Sequence, residues 1–158
     1  MKLATALALS CSVGVLALPT TVSAYFDEPG TWSSGWGQGI SEYSAVSADG
    51  TARLYIACSP DRAVSMDLTV GDNTYGIDSQ GDFNLIIDGE EVSTPYETDS
   101  HVGADWFLYS WEALRKANSI VAVTSDGQSV ALPSKGSASA LPNASSPEMS
   151  CLTGFYSF

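Results

Sequence analysis

Ala52-Arg53-Leu54-Tyr55-Ile56-Ala57-Cys58 decides the fold. Side chains along an extended strand point alternately to its two faces, so Leu54, Ile56 and Cys58 share one face. A strand with one apolar face belongs to an antiparallel sheet with a wet side. Upstream, Ile40–Val46 alternates weakly, with Ile40 and Val46 on one side and Tyr43 and Ala45 on the other. Asp49-Gly50 then supplies the positive-φ chemistry of a tight hairpin. Downstream, Ser59-Pro60-Asp61 ends the strand, because proline cannot donate to a ladder. The next segment, Ala63–Val70, turns Val64, Met66, Leu68 and Val70 inward and Ser65, Asp67 and Thr69 outward.

The same grammar continues. Gly71-Asp72-Asn73, Asp78–Asp82 and Asp88-Gly89 are turns that separate short strands at Thr74–Ile77 and Phe83–Ile87. A last hairpin runs from Ile120–Thr124 through Asp126-Gly127 to Gln128–Leu132. Trp106–Tyr109 reads as a buried strand, and Ser110 as the N-cap of a short helix over Trp111–Ala117 with Arg115 and Lys116 at its C-terminal end. Glu90–Asp105 is polar and irregular and carries the only histidine, His101. Pro133–Pro147 is rich in Ser, Ala and Pro, with one helical turn over Ser137–Leu141. The predicted fold is all-β: a mainly antiparallel sandwich or open barrel of about seven short strands, one short helix and one disulfide.

The N-terminus reads as an export signal. Lys2 precedes an uncharged apolar run from Leu3 to Leu18, Pro19 breaks it, and Val22-Ser23-Ala24 fits a signal-peptidase site. The run is short for a membrane span and has no stop-transfer charges after it. A lipoprotein site at Cys11 fits poorly, because Val13–Leu18 would leave an apolar stretch where a soluble tether belongs. The expected organisation is a cleaved signal at 1–24, an N-terminal arm at 25–39 anchored by Trp32 and Trp36, and one β domain at 40–158. The expected location is the periplasm or the medium. No membrane span is expected once the signal is cleaved.

Eighteen acidic residues against six basic ones give a net charge of −12, and signal cleavage removes Lys2 but no acid. Such a field repels nucleic acid and anionic lipid and attracts cationic partners. Cysteine parity agrees with export. Cys11 leaves with the signal, and Cys58 and Cys151 remain as a pair in an oxidising compartment.

No catalytic constellation emerges. His101 has no Gly-x-Ser-x-Gly elbow to serve, and eighteen carboxylates make any glycosidase pair unspecific. Calcium has candidate ligands in Asp72, Asn73, Asp78 and Asp82, although turn chemistry alone explains these residues. No cofactor is expected: Gly35-Trp36-Gly37-Gln38-Gly39 lacks the lysine and helix of a phosphate loop. Trp32 and Trp36 are candidates for stacking on sugar.

The order of an early Trp, a hairpin ending in the Cys58 strand, Leu85-Ile86-Ile87-Asp88-Gly89, a helix, a hairpin, Gly136-Ser137-Ala138-Ser139-Ala140-Leu141 and a closing Cys151 resembles small exported β-proteins of Gram-negative bacteria. Those are the invasion-associated locus B proteins and the VasI-type accessory proteins of type VI secretion. The resemblance covers most of the mature chain as a pattern and implies a non-enzymatic accessory or binding protein, with no catalytic residues to transfer. The leading expectation is a domain that binds, inhibits or sequesters a cationic exported protein such as a lysozyme. Glu90, Glu91, Glu97, Asp99 and Asp105 would be the contact residues. A carbohydrate-binding or carbohydrate-active domain and an envelope or secretion-system accessory protein are the alternatives.

Overall fold

The structure is a computed structural model that describes residues 28–156. The expected signal at 1–24 and the first residues of the expected arm lie outside the described residues. Among the described residues, nine strands form two antiparallel sheets. The first has the order β1-β2-β3-β4-β5: β1 (Trp32–Gly37), β2 (Ile40–Val46), β3 (Ala52–Ser59), β4 (Arg62–Val70) and β5 (Asn73–Gly76). The second has the order β7-β6-β8-β9: β6 (Phe83–Ile87), β7 (Glu90–Ser93), β8 (Ile120–Thr124) and β9 (Ser129–Leu132). Helix α1 (His101–Lys116) lies between β7 and β8 in the chain, and a single helical turn, α2 (Ser137–Ala140), follows β9.

β3 behaves as its alternation requires. Ala52, Leu54, Ile56 and Cys58 are buried, and the residues between them are half-buried. Leu54 pairs with Ala45 and Leu68, and Ile56 with Tyr43 and Met66. One core cluster joins these side chains to Phe83, Leu85 and Ile120 of the second sheet and to Phe107, Trp111 and Leu114 of α1. The Trp111 ring meets Tyr43 edge-on at 5.1 Å, and its indole N–H donates to the Pro142 carbonyl at 2.8 Å. Burial of such an aromatic contributes on the order of 3 kcal/mol or more.

Cys58 and Cys151 are joined in a disulfide with their Cα atoms 4.4 Å apart. The tail around Cys151 lies along the part of β4 that β5 leaves uncovered. There Leu152 bridges Ala63 in parallel, and Val64 N–H donates to the Leu152 carbonyl at 2.7 Å. The low-complexity segment is therefore strapped to the first sheet.

Three expectations change. Within the expected arm, residues 32–37 are strand β1, paired through Trp32–Ala45 to Gly37–Ile40; its Gly and Ser residues hid the alternation of Trp32, Ser34 and Trp36. Glu90–Ser93 is strand β7, whose only buried side chain is Val92. Trp106–Tyr109 is helical. Four contiguous apolar residues fit a buried strand or a helix equally well, and the longer spacing of Ala104, Phe107, Trp111 and Leu114 decides for the helix.

Candidate functional site: an acid-ringed aromatic face

Helix α1 begins where Ser100, in extended conformation, caps it: its Oγ accepts the Gly103 N–H at 3.0 Å. Gly103 has to be glycine, because a Cβ there would collide with the Glu97 carbonyl oxygen. From this start, Ala104, Phe107, Ser110, Trp111 and Leu114 face the core. At about 100° per residue, His101, Val102, Asp105, Trp106 and Tyr109 fall on the opposite side, and all five are exposed.

That side is unusually apolar for a surface. Trp106 and Tyr109 stack with ring centroids 5.1 Å apart, and Val102 is 77% exposed. The tail adds to it. Thr98 accepts the Gly154 N–H on its Oγ1 and the Phe155 N–H on its carbonyl, both at 2.8 Å. Gly154 lies against the Asp99 backbone, where a Cβ would come within 3.1 Å of the Asp99 Cα. This close approach lays Phe155 and Tyr156 beside His101, at centroid distances of 5.3 and 6.1 Å. Of the seven large hydrophobic side chains exposed among the described residues, five belong to this face: Val102, Trp106, Tyr109, Phe155 and Tyr156. Exposed aromatics gathered in one place mark an interaction surface more often than scattered ones do.

Carboxylates ring the aromatics. Glu90 accepts the Tyr109 O–H at 2.7 Å, which raises the Tyr109 phenol above its ordinary value. Asp105 stands 3.2 Å from the His101 Nδ1 and 3.3 Å from the Tyr156 hydroxyl. Desolvation first, and the Asp105 charge second, raise the Tyr156 phenol. Glu97 and Asp99 join Pro95, Val102 and Trp106 in lining a groove of about 470 Å³. The basic residues of α1, Arg115 and Lys116, stand at its other end.

Four of the five acids expected to contact a partner are thus gathered around one face: Glu90, Glu97, Asp99 and Asp105. Glu91 is not. Strand alternation sends it to the other side of β7, where its carboxylate accepts the Asn84 amide at 2.8 Å. The expected stacking pair separates as well. Trp32 is buried and its indole N–H donates to the Pro133 carbonyl, which removes it as a platform, whereas Trp36 is 75% exposed. The calcium candidates are not assembled. Asp72 and Asn73 sit at the β4–β5 turn, Asp82 accepts the Tyr96 O–H at 2.6 Å, and Asp78 lies in another turn at positive φ. Among the described residues no group of three His, Cys, Asp or Glu side chains could hold a metal ion.

Sequence reasoning missed the aromatic half of the face. Its signal was present in the helical spacing of Val102, Trp106 and Tyr109 and in the Phe155-Tyr156 pair just past Cys151. Reading Trp106–Tyr109 as a strand erased that spacing.

A family model described as YfjT matches residues 30–141, from the turn before β1 to the end of α2, and the chain belongs to that family. No curated protein and no solved structure matches the chain.

Proposed function

We propose that this member of the YfjT family is an exported binding domain that docks a cationic protein on the acid-ringed face of α1. The observation that carries the reading is the coincidence of exposed aromatics and carboxylates on one face. Trp106, Tyr109, Phe155 and Tyr156 offer apolar area to the centre of an interface, and Glu90, Glu97, Asp99 and Asp105 form its rim. Lysine and arginine suit such a surface twice over, through their charge and through packing of their stems and cationic heads on aromatic rings. The net charge of −12 adds long-range attraction for the same partners and speeds encounter. The expected export signal and the disulfide support a partner in the periplasm or the medium.

Immobilised full chain tests this against lysozyme as a defined basic probe and against envelope and medium fractions. Binding is expected at low salt and to fall near 0.5 M, where the Debye length is roughly 4–5 Å. Trp106→Ala and Asp105→Asn should each weaken retention of the same basic protein, whereas Ile77→Ala, an exposed apolar residue elsewhere, should not. Retention that ignores Trp106→Ala, or that is limited to acidic proteins, overturns the proposal.

A further inference from the structure

A second groove lies at the other end of α1, independent of the acidic face. Trp32, Ser34 and Trp36 share the core-side face of β1. Trp32 is covered by the core; Trp36, paired with Ser41, lies past the end of that cover on a ledge of the first sheet. Across from the ledge runs the segment 138–148. It is fixed to α1 by three hydrogen bonds: the Trp111 indole to the Pro142 carbonyl at 2.8 Å, Arg115 Nε to the Leu141 carbonyl at 3.0 Å, and Ala144 N–H to Glu112 Oε1 at 2.8 Å. Glu112 is held ionised for this role, its carboxyl lowered first by the Ala144 N–H and then by Arg115. The two walls enclose an open groove of about 670 Å³, within the size range of small-molecule sites.

The groove is furnished for a ligand that is both apolar and rich in hydroxyls. Trp36 stands 75% exposed at its lip, with glycines on either side that leave the indole unobstructed. Tyr43 lies in the lining, its phenol raised chiefly by burial. Asn143, exposed in the lining, uses its amide oxygen for the Ser145 N–H and hydroxyl and carries its NH2 donors beside it. Glu148, also exposed, adds a carboxylate to the lining, and its charge raises the Tyr43 phenol further. A side-chain amide and a carboxylate, both exposed, therefore line the same groove as an exposed indole. A pyranose ring asks for this combination, because its C–H face packs on an aromatic ring and its hydroxyls need both donors and acceptors. The groove is open to solvent rather than enclosed, which leaves room for a chain as well as for a single sugar.

We propose that the groove between Trp36 and the segment 138–148 binds a linear oligosaccharide, with Trp36 as the stacking platform and Asn143 and Glu148 as the hydroxyl partners. The test titrates the full chain with chitotetraose (acetylated), cellotetraose and maltotetraose, read by calorimetry and tryptophan fluorescence. At least one probe should bind in the high-micromolar to millimolar range. Trp36→Ala should weaken it about ten-fold, while Trp36→Phe retains most of the affinity. Glu148→Gln should weaken it as well, and Ile77→Ala, an exposed apolar residue outside both sites, should leave it within two-fold. All these side chains are at the surface, so an unchanged melting temperature separates a binding defect from misfolding. Absence of binding by all three probes at millimolar concentration overturns the proposal, as does binding that is indifferent to Trp36→Ala.

Discussion

Replacing both cysteines, Cys58→Ala with Cys151→Ala, removes the disulfide that links the first sheet to the tail. The bond closes a loop with a sequence separation of 93 residues, for which chain entropy gives a ceiling of about 4.5 kcal/mol. Both side chains are buried, and the small voids left behind add about 1 kcal/mol at most. The total stability of a domain this size is typically about 5–15 kcal/mol, so the variant should still fold if the wild-type value exceeds about 6 kcal/mol. With a urea dependence of about 2 kcal/mol per molar, the unfolding midpoint should fall by about 2 M. Reduced wild-type protein should unfold at nearly the same urea concentration as the double variant, since both lack the cross-link. Binding to a basic probe should also drop, because Phe155 and Tyr156 follow Cys151 closely and lose the strap that holds them beside His101. A midpoint shift below about 0.5 M would refute the reasoning: the tail would then be held by its hydrogen bonds alone, or the unfolded chain would already be constrained.

Ser100→Ala removes the N-cap of α1 and should lower stability by about 1 kcal/mol, a drop of about 3–5 °C in melting temperature. Gly103→Ala should be worse, about 1–3 kcal/mol, because its Cβ would meet the Glu97 backbone carbonyl, which must shift, and the capping Ser100 hydroxyl at 3.1 Å; a melting temperature equal to wild type would disprove the close approach. Stability should hold near neutral pH and decline in acid. Asp49 is drawn down to about 2 by the hydroxyl of Ser47 and by the Thr51 N–H and hydroxyl, and Asp88 and Asp126 are also lowered by hydrogen bonds. A carboxylate with a depressed folded pKa stabilises above its unfolded value near 4 and loses that contribution as pH falls toward 2. A melting-temperature profile from pH 7 to 2 should show this decline, and Asp49→Asn should flatten part of it. Asp67 has the opposite sign: burial raises its carboxyl, so Asp67→Asn should raise the melting temperature at pH 7 and give no gain at pH 3.

The strands that carry alternating branched residues were legible from the chain alone, because a half-buried strand writes its period into its sequence. β3 and β4 are of this kind, and Asp49-Gly50 placed the hairpin that leads into β3. β1 was not legible, since its core-side face is Trp32, Ser34 and Trp36, interrupted by glycine, and only the pairing with β2 makes it a strand. Helix α1 was half legible. Arg115 and Lys116 do occupy its last turn, but the apolar run Trp106–Tyr109 concealed its first half and moved the expected cap from Ser100 to Ser110. The acids of the candidate site were visible as a cluster in sequence. The separation of Glu90 from Glu91 on the two sides of β7 depends on strand alternation and could not be read from composition.

The tail ties these elements to one another. Cys151 fixes the tail to β3, Leu152 fixes it to β4, and the next three residues reach Thr98 and the Asp99 backbone just before the cap of α1. The aromatic face is therefore composed of two chain segments that meet only because the strap is closed, one from the helix and one from the tail. Such a face is rigid in proportion to its fastening, and a rigid aromatic surface loses little conformational entropy when a partner settles on it. The groove beside Trp36 has a different fastening, the three bonds between α1 and the segment 138–148. Loosening the tail should therefore weaken the acidic face and leave the groove wall around Leu141–Ala144 held to α1.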